Sequence, residues 1–246
     1  MNTAIVLAAG VGQRMRNGGL PKQFLKIMGK PIVIYTLEKF DECTDIDNVI
    51  VVCHGGYVDY MKELIEQFHI RKVIDVIVGG ADRQASIVKG LHRIEQTTEN
   101  MGQIDPVVVI HDGVRPLVGV NVISENIFFS EKYGCAITVH SVKESVVITD
   151  DEFAEIDNFQ ERAKTYSLTS PQSFRLSLLK EAFSTKNIEE YKGMPLLDAA
   201  MVYAKSKGKV YLVKEQGVNI KITTPEDFYY LKAILELEEQ KYIFGI

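Results

Sequence analysis

The chain has 246 residues, 46% of them hydrophobic and 25% charged, which is the composition of a folded globular protein with room for one sizeable α/β domain. A net charge of −5 argues against a broad basic surface for nucleic acid, so any phosphate binding must rest on a few local cations. The longest apolar runs are too short to span a bilayer, the first fifteen residues lack the basic lead of a secretory signal, and Cys43, Cys53 and Cys135 are widely spaced; together these predict a cytoplasmic protein with reduced thiols and no zinc site.

An apolar strand is predicted over 4–9, running into Gly10 and Gly12. Residues 31–40 read as a helix, with Pro31 in its first turn and Ile32, Leu37 and Phe40 toward a core. A buried strand over 48–53 and an amphipathic helix over 58–68 follow. The strand predicted over 73–78 ends in Gly79-Gly80, and a helix over 82–94 carries Ile87, Leu91 and Ile94 on one side. A strand over 106–111 leads into the turn Asp112-Gly113-Val114-Arg115-Pro116, then a helix over 120–130 and a strand over 135–142.

This rhythm breaks over 144–172, where 146–149, 153–156 and 164–168 are short, β-leaning and separated by acidic turns. A projecting β-arm is expected there. Such a hairpin cannot bury much of itself alone, so it is expected to pack on a second copy of the chain; an insertion folded back on its own domain is the alternative. Beyond it, 173–183 and 195–207 read as helices and 209–213 and 218–222 as strands. Thr224-Pro225-Glu226-Asp227 is a capping-box start for a helix over 227–237.

Continuous Val/Ile strands alternating with amphipathic helices predict an α/β fold. It is a mostly parallel sheet with helices on both faces, a single domain over 1–246 with 144–172 as its arm. Ligands of such sheets bind beyond the carboxyl ends of the strands. The turns 8–15, 79–86 and 112–116 all follow strands and are expected to converge there.

The first turn carries the most chemistry. Ala8, Ala9, Gly10 and Gly12 are small enough for a nucleotide to lie against the backbone. The free N–H groups, with Arg14 and Lys22, make a polyphosphate pocket. No Lys-Ser or Lys-Thr follows the glycines, which excludes a Walker loop, and Met15 occupies the third-glycine position of a dinucleotide fingerprint. The second turn, Gly79 to Ser86, supplies another wall for a base or ribose. Asp112, just past a strand, is placed to hold Mg²⁺ against phosphate oxygens or simply to form the turn. Arg115 reads as a salt-bridge partner shaping that turn, and Lys221 as a third cation or a solvated strand lysine. His54 and His111 end strands, where either could line a cleft and structural hydrogen bonding is the expectation. Arg14, Lys22, Lys221 and Mg²⁺ on Asp112 suit attack by an anion on the α-phosphorus of a nucleoside triphosphate. A phosphate monoester is already anionic and needs no general base.

These residues together resemble the cytidylyltransferases of polyol phosphates, the group that includes the 2-C-methyl-D-erythritol 4-phosphate and ribitol-5-phosphate enzymes. The resemblance runs nearly end to end. It rests on Leu-Ala-Ala-Gly-x-Gly-x-Arg-Met, Pro-Lys-Gln-Phe (21–24), Gly-Gly-x-x-Arg-x-x-Ser (79–86) and His-Asp-x-x-Arg-Pro (111–116). Pro-Gln-x-Phe (171–174) and Asn-Ile-Lys-Ile-Thr-x-Pro-Glu-Asp (219–227) complete it. It implies a Rossmann-like nucleotidyltransferase fold, a homodimer interlocked by the β-arm, CTP as nucleotide and Mg²⁺ as metal. Arg14 and Lys22 would stabilise the transition state. Leu7, Ala8, Ala9 and Gly10, with Gly80, Ala81, Asp82, Arg83 and Ser86, would hold CTP. Arg162 from the arm and Lys221 would position the acceptor's phosphate.

At the start of the arm Glu144-Ser145-Val146-Val147 replaces the Asp-Thr-x-Lys of the methylerythritol pattern, and Glu144 and Ser145 are the expected acceptor contacts. The missing lysine and the segment Cys53-His54-Gly55-Gly56-Tyr57-Val58 look more like the ribitol-phosphate enzymes, yet those carry Asp-Thr as well, so Glu144-Ser145 departs from both groups. Ser170-Pro171-Gln172 and Leu197-Asp198 also depart from the methylerythritol pattern. The expected reaction is CMP transfer from CTP to a small polyol phosphate, with ribitol 5-phosphate favoured and methylerythritol 4-phosphate the alternative. A sugar-1-phosphate nucleotidyltransferase and a silent nucleotide-binding protein are remoter readings.

Overall fold

The computed structural model describes residues 1–10, 20–98, 105–148, 158–191, 198–215 and 217–244. In chain order the elements begin with β1 (Thr3–Ala8), β2 (Lys26–Ile27), β3 (Lys30–Pro31), α1 (Ile32–Glu42), β4 (Asn48–Cys53), α2 (Val58–Gln67), β5 (Val73–Val78), α3 (Arg83–Thr98) and β6 (Val107–Asp112). They continue with α4 (Val120–Tyr133), β7 (Cys135–Ser141), β8 (Val147–Ile148), β9 (Asn158–Phe159), β10 (Tyr166–Arg175), α5 (Leu176–Ala182), α6 (Thr185–Glu190), α7 (Ala199–Lys207), β11 (Leu212–Lys214) and α8 (Pro225–Phe244).

Seven strands form one sheet in the order β11-β7-β10-β6-β1-β4-β5, parallel throughout except for β10. Alternation along β1 sends successive side chains to opposite faces. Val6 joins Phe24, Leu37 and Phe40 in one core, while Ile5 joins Ile87, Leu91 and Ile94 in the other. Each such fully buried side chain contributes roughly 1.5–3 kcal/mol. A third, smaller cluster packs α8 through Leu231 onto Ile27, Ile32, Val114 and Ile222.

The predicted helix over 173–183 is corrected at its start: β10 runs on to Arg175, between β6 and β7 and antiparallel to both, and the helix begins at Leu176. Thr169, Ser170, Gln172 and Ser173 are buried yet polar, so this central strand lacks the apolar run that marks its neighbours. Most of its polar groups find partners on neighbouring elements, while Ser173 Oγ is buried without one among the described residues. Thr138 Oγ1 donates to Pro171 O at 2.7 Å, and Gln172 Oε1 accepts the Ala200 N–H at 3.1 Å. The pairing register shifts between Leu168 and Gln172, where Pro171 has no N–H to give the ladder.

The predicted strand over 218–222 does not form; that segment is irregular. The helix predicted over 195–207 starts at Ala199, with Asp198 accepting from the Met201 N–H, and Leu197 lies outside the described residues. α6 went unpredicted. The helix expected over 227–237 spans Pro225–Phe244, and its capping box is present: Asp227 Oδ2 accepts from the N–H groups of Thr223 and Thr224, each at 2.8 Å. In the arm β8 pairs antiparallel with β9; the strand predicted over 153–156 lies outside the described residues.

Candidate active site

Because β1, β4, β5 and β6 are parallel, their carboxyl ends share one rim. A cleft of about 500 Å³ opens along it. Leu7, Ala8, Ala9 and Gly10 from the end of β1 line it; Gly12 and Arg14 lie outside the described residues. Gln23 ties this turn down, its Nε2 donating to Ala8 O at 2.7 Å and Gly10 O at 3.0 Å. Lys22 precedes it in a single 3-10 turn, Lys22–Phe24, and also lines the cleft. Phe24 is fully buried against Tyr57 and Tyr60, with ring centroids 5.2 Å apart in both pairs. Lys22 is therefore launched from a turn held by two buried neighbours.

The wall opposite comes from Gly80, Ala81, Asp82, Arg83 and Ser86. The Gly79 N–H donates to Cys53 O at 2.8 Å, and a Cβ on Gly79 would lie 2.5 Å from that of Ala9, so only glycine lets the two turns approach this closely. Asp82 Oδ1 caps α3 by accepting the Ala85 N–H at 2.8 Å. Ser86 Oγ accepts from the Gly80 N–H at 3.0 Å and donates to Asp82 O at 2.8 Å, so part of its bonding capacity maintains the turn.

Asp112 closes β6 at the floor of the cleft. Arg83 Nη1 lies 2.5 Å from its Oδ1, while Lys221 Nζ and Arg115 Nε lie 3.0 and 3.3 Å from its Oδ2. Burial opposes ionisation, but Arg83, Lys221 and Arg115 together overcome it and hold this carboxyl well below the usual range. Arg115 shapes the turn as predicted, its Nη1 also donating to Asn219 O at 2.7 Å. His111 is fully buried against Phe40, and burial pushes it down to about 3. The neutral ring faces Arg115 O through Nε2 at 3.2 Å, a structural role.

The decisive comparison is with protein families. A family model described as "IspD: 2-C-methyl-D-erythritol 4-phosphate cytidylyltransferase" matches residues 2–237. The chain belongs to the IspD family. Like its family, it is a cytidylyltransferase, a nucleotidyl-transferring enzyme. A ribitol-5-phosphate cytidylyltransferase of Streptococcus agalactiae serotype III is 39% identical over the full length of both chains. A 2-C-methyl-D-erythritol 4-phosphate cytidylyltransferase of Lachnoclostridium phytofermentans is 36% identical over 98% of each. The crystal structure of 4-diphosphocytidyl-2C-methyl-D-erythritol synthase from Anaerococcus prevotii superposes with a TM-score of 0.77, at 26% identity and 96% coverage of each chain. The mostly parallel sheet with its helices is thus the IspD nucleotidyltransferase fold.

In this IspD-family chain the cleft gathers every described residue that the sequence named for nucleotide or catalysis, from Leu7 to Lys221. Glu144, Ser145 and Arg162 are not brought there: all three are exposed on or beside the arm, and none lines the cleft of its own chain. Two cleft residues were missed, and a third was given the cleft only as its alternative. Gln23 lay within a noted motif but had no role. Val114 follows Asp112 on its turn. His54 was read as structural, with the cleft as its alternative. It does accept the Gly56 N–H at Nδ1, 3.2 Å away, but its ring also lines the cleft. Its position at the end of β4, beside β1, was the available signal. No described helix is long and apolar enough to cross a membrane.

Proposed function

We propose that this enzyme transfers CMP from CTP to ribitol 5-phosphate. A phosphate oxygen of the acceptor attacks the α-phosphorus, the α–β P–O bond breaks, and CDP-ribitol and pyrophosphate leave. The observation that carries the reading is the convergence of Lys22, Arg83 and Lys221 on the rim where two small-residue turns meet. The two ends of the cleft differ in character. The turn around Gly80 and Ser86 offers backbone and hydroxyl groups to base and ribose. The end around Asp112 and Lys221 offers cations to the triphosphate. Lys22 and Arg14 stabilise charge growing on the phosphoryl oxygens, and Lys221 orients the incoming phosphate.

The residues present fit a Mg²⁺ carried largely by the nucleotide. Asp112 is ionised at any working pH, and a carboxylate has about four acceptor directions, of which three are taken by Arg83, Arg115 and Lys221. Mg²⁺ bound there would neutralise the triphosphate and polarise its α-phosphoryl oxygen. The arm is assigned to dimerisation. Val147, Ile148 and Phe159 are 40%, 57% and 66% exposed on a two-stranded hairpin too small to be stable alone. Docked on a second copy, it would bring Glu144, Ser145 and Arg162 toward the partner's cleft. Three buried free cysteines agree with a reducing, cytoplasmic setting.

The acceptor assignment is supported by the 39% relative and by Val147 standing where the methylerythritol pattern has lysine. The family model and the 36% relative favour methylerythritol 4-phosphate as second reading. Pyrophosphate release from Mg-CTP, measured over a panel of polyol phosphates, separates them. The expected result is kcat/KM for ribitol 5-phosphate at least about tenfold above that for methylerythritol 4-phosphate. The reverse order assigns the second acceptor, and sugar 1-phosphates as the active class would overturn both.

A further inference from the structure

Lys221 stands on a segment with no strand ladder, and the bonds that hold this segment come from side chains. Asn219 is 2% exposed; its Nδ2 donates to Glu215 Oε2 at 2.8 Å and to Ser170 O at 2.7 Å. Both partners only accept, so the amide nitrogen must face them. Its backbone oxygen accepts from Arg115 Nη1 at 2.7 Å, and Arg115 in turn meets the same Asp112 oxygen as Lys221. Ser170 closes the circuit: its Oγ accepts the Asp112 N–H at 3.2 Å. On the far side of Lys221, the Ile222 N–H donates to Val114 O at 2.9 Å and the Ile222 side chain is fully buried. Lys221 therefore hangs between two anchors, one of them Asn219.

Glu215 is an odd residue to bury for structure alone. It is 5% exposed, its N–H is tied to Val139 O at 3.0 Å, and His140 Nε2 faces its carboxylate at 3.7 Å. A buried carboxylate is costly unless its bonds offset the lost water, and here its side-chain hydrogen bond goes to the residue that carries Lys221's backbone.

Resting on the role proposed above for Lys221, we infer that Asn219 and Glu215 are positioning residues of cytidylyl transfer. They form a buried bracket that sets Lys221 beside Asp112 before substrate arrives. A long lysine on an irregular segment would otherwise have to be ordered during the reaction, at an entropic cost to the transition state. Neither residue touches substrate.

The test is steady-state transfer with Mg-CTP and ribitol 5-phosphate, with folding of each variant checked by circular dichroism. Asn219→Ala, Glu215→Ala and the near-isosteric Asn219→Leu, which loses both donations without losing volume, are each expected to lower kcat about tenfold or more while KM for CTP moves less than about threefold. Glu215→Gln keeps an acceptor for Asn219 and is expected to stay within about threefold of the native enzyme. In a Lys221→Ala background, Asn219→Ala is expected to cost less than about twofold further, because what it positions is gone. Equal losses in both backgrounds, or Glu215→Gln as impaired as Glu215→Ala, overturn the bracket. Native kcat in Asn219→Leu beside an impaired Lys221→Ala overturns it too and leaves the reaction standing; native turnover in Lys221→Ala removes the role of Lys221 itself.

Discussion

Alanine in place of Lys22 or of Lys221 is expected to lower kcat for cytidylyl transfer by roughly 10²–10³, with the Kd for CTP rising less than about tenfold. Negative charge grows on the phosphoryl oxygens and the departing pyrophosphate only as the α–β bond breaks. A fixed cation beside them therefore acts more on the transition state than on bound CTP. At about 4 Å and an effective dielectric constant near 20, one such charge is worth about 4 kcal/mol, or three decades in rate. Lys22 belongs at the upper end of the range, since buried Gln23 and Phe24 hold its turn in place. Lys221 belongs at the lower end: it is 39% exposed and shares its charge with Asp112. Single-turnover kinetics with saturating Mg-CTP read the chemical step directly. Near-native rates in both variants contradict the assignment.

Asp112→Asn is expected to cost about 3 kcal/mol of stability and roughly 10² in kcat. The shape is kept, but Arg83, Arg115 and Lys221 are left facing one another without the carboxylate that now gathers them. The pH behaviour follows from the direction of the shift. The native carboxyl is held below its unfolded value of about 4, so the unfolded chain binds the extra proton on acidification. Its contribution is fully present above that value and is lost only as pH falls toward the folded one. The difference in stability between native and Asp112→Asn protein should therefore stay level from about pH 5 to 8 and narrow only in acid. Pyrophosphate supplies the missing negative charge, so it should raise the Tm of the variant more than that of the native protein. Thermal unfolding with and without pyrophosphate reads both effects; an unchanged Tm in the variant would sink the account of Asp112.

The parallel part of the sheet was legible because its strands are short Val/Ile-rich runs; 48–53 matches the buried β4 end to end, and 73–78, with Asp75 inside it, matches the edge strand β5. The start of β10 falls within the β-leaning 164–168, but its buried half escaped because it carries Thr169, Ser170, Gln172 and Ser173. Their hydrogen-bond partners, such as Thr138 and Ala200, are distant in sequence, so nothing local marks the strand as core. The alternating Val218–Ile222 pattern misled in the opposite direction. Isoleucine at 220 and 222 packs under α8 rather than into a sheet, and Asn219 supplies the fixing that a ladder would have given. At the site, turns that follow parallel strands had to share a rim, which is why residues as distant as Leu7, Asp82 and Asp112 were found together. The Arg115–Asp112 pair was legible within its turn, but that Arg83 and Lys221 also converge on Asp112 follows from side-chain reach across the rim, which spacing does not encode.

The most direct test is a crystal structure with Mg²⁺ and a non-hydrolysable CTP analogue. The triphosphate is expected along the cleft, with its oxygens within hydrogen-bond distance of Lys22 Nζ and Lys221 Nζ and the cytosine against the turn of Gly80 and Ser86. A nucleotide bound elsewhere, or a triphosphate out of reach of both lysines, contradicts the account.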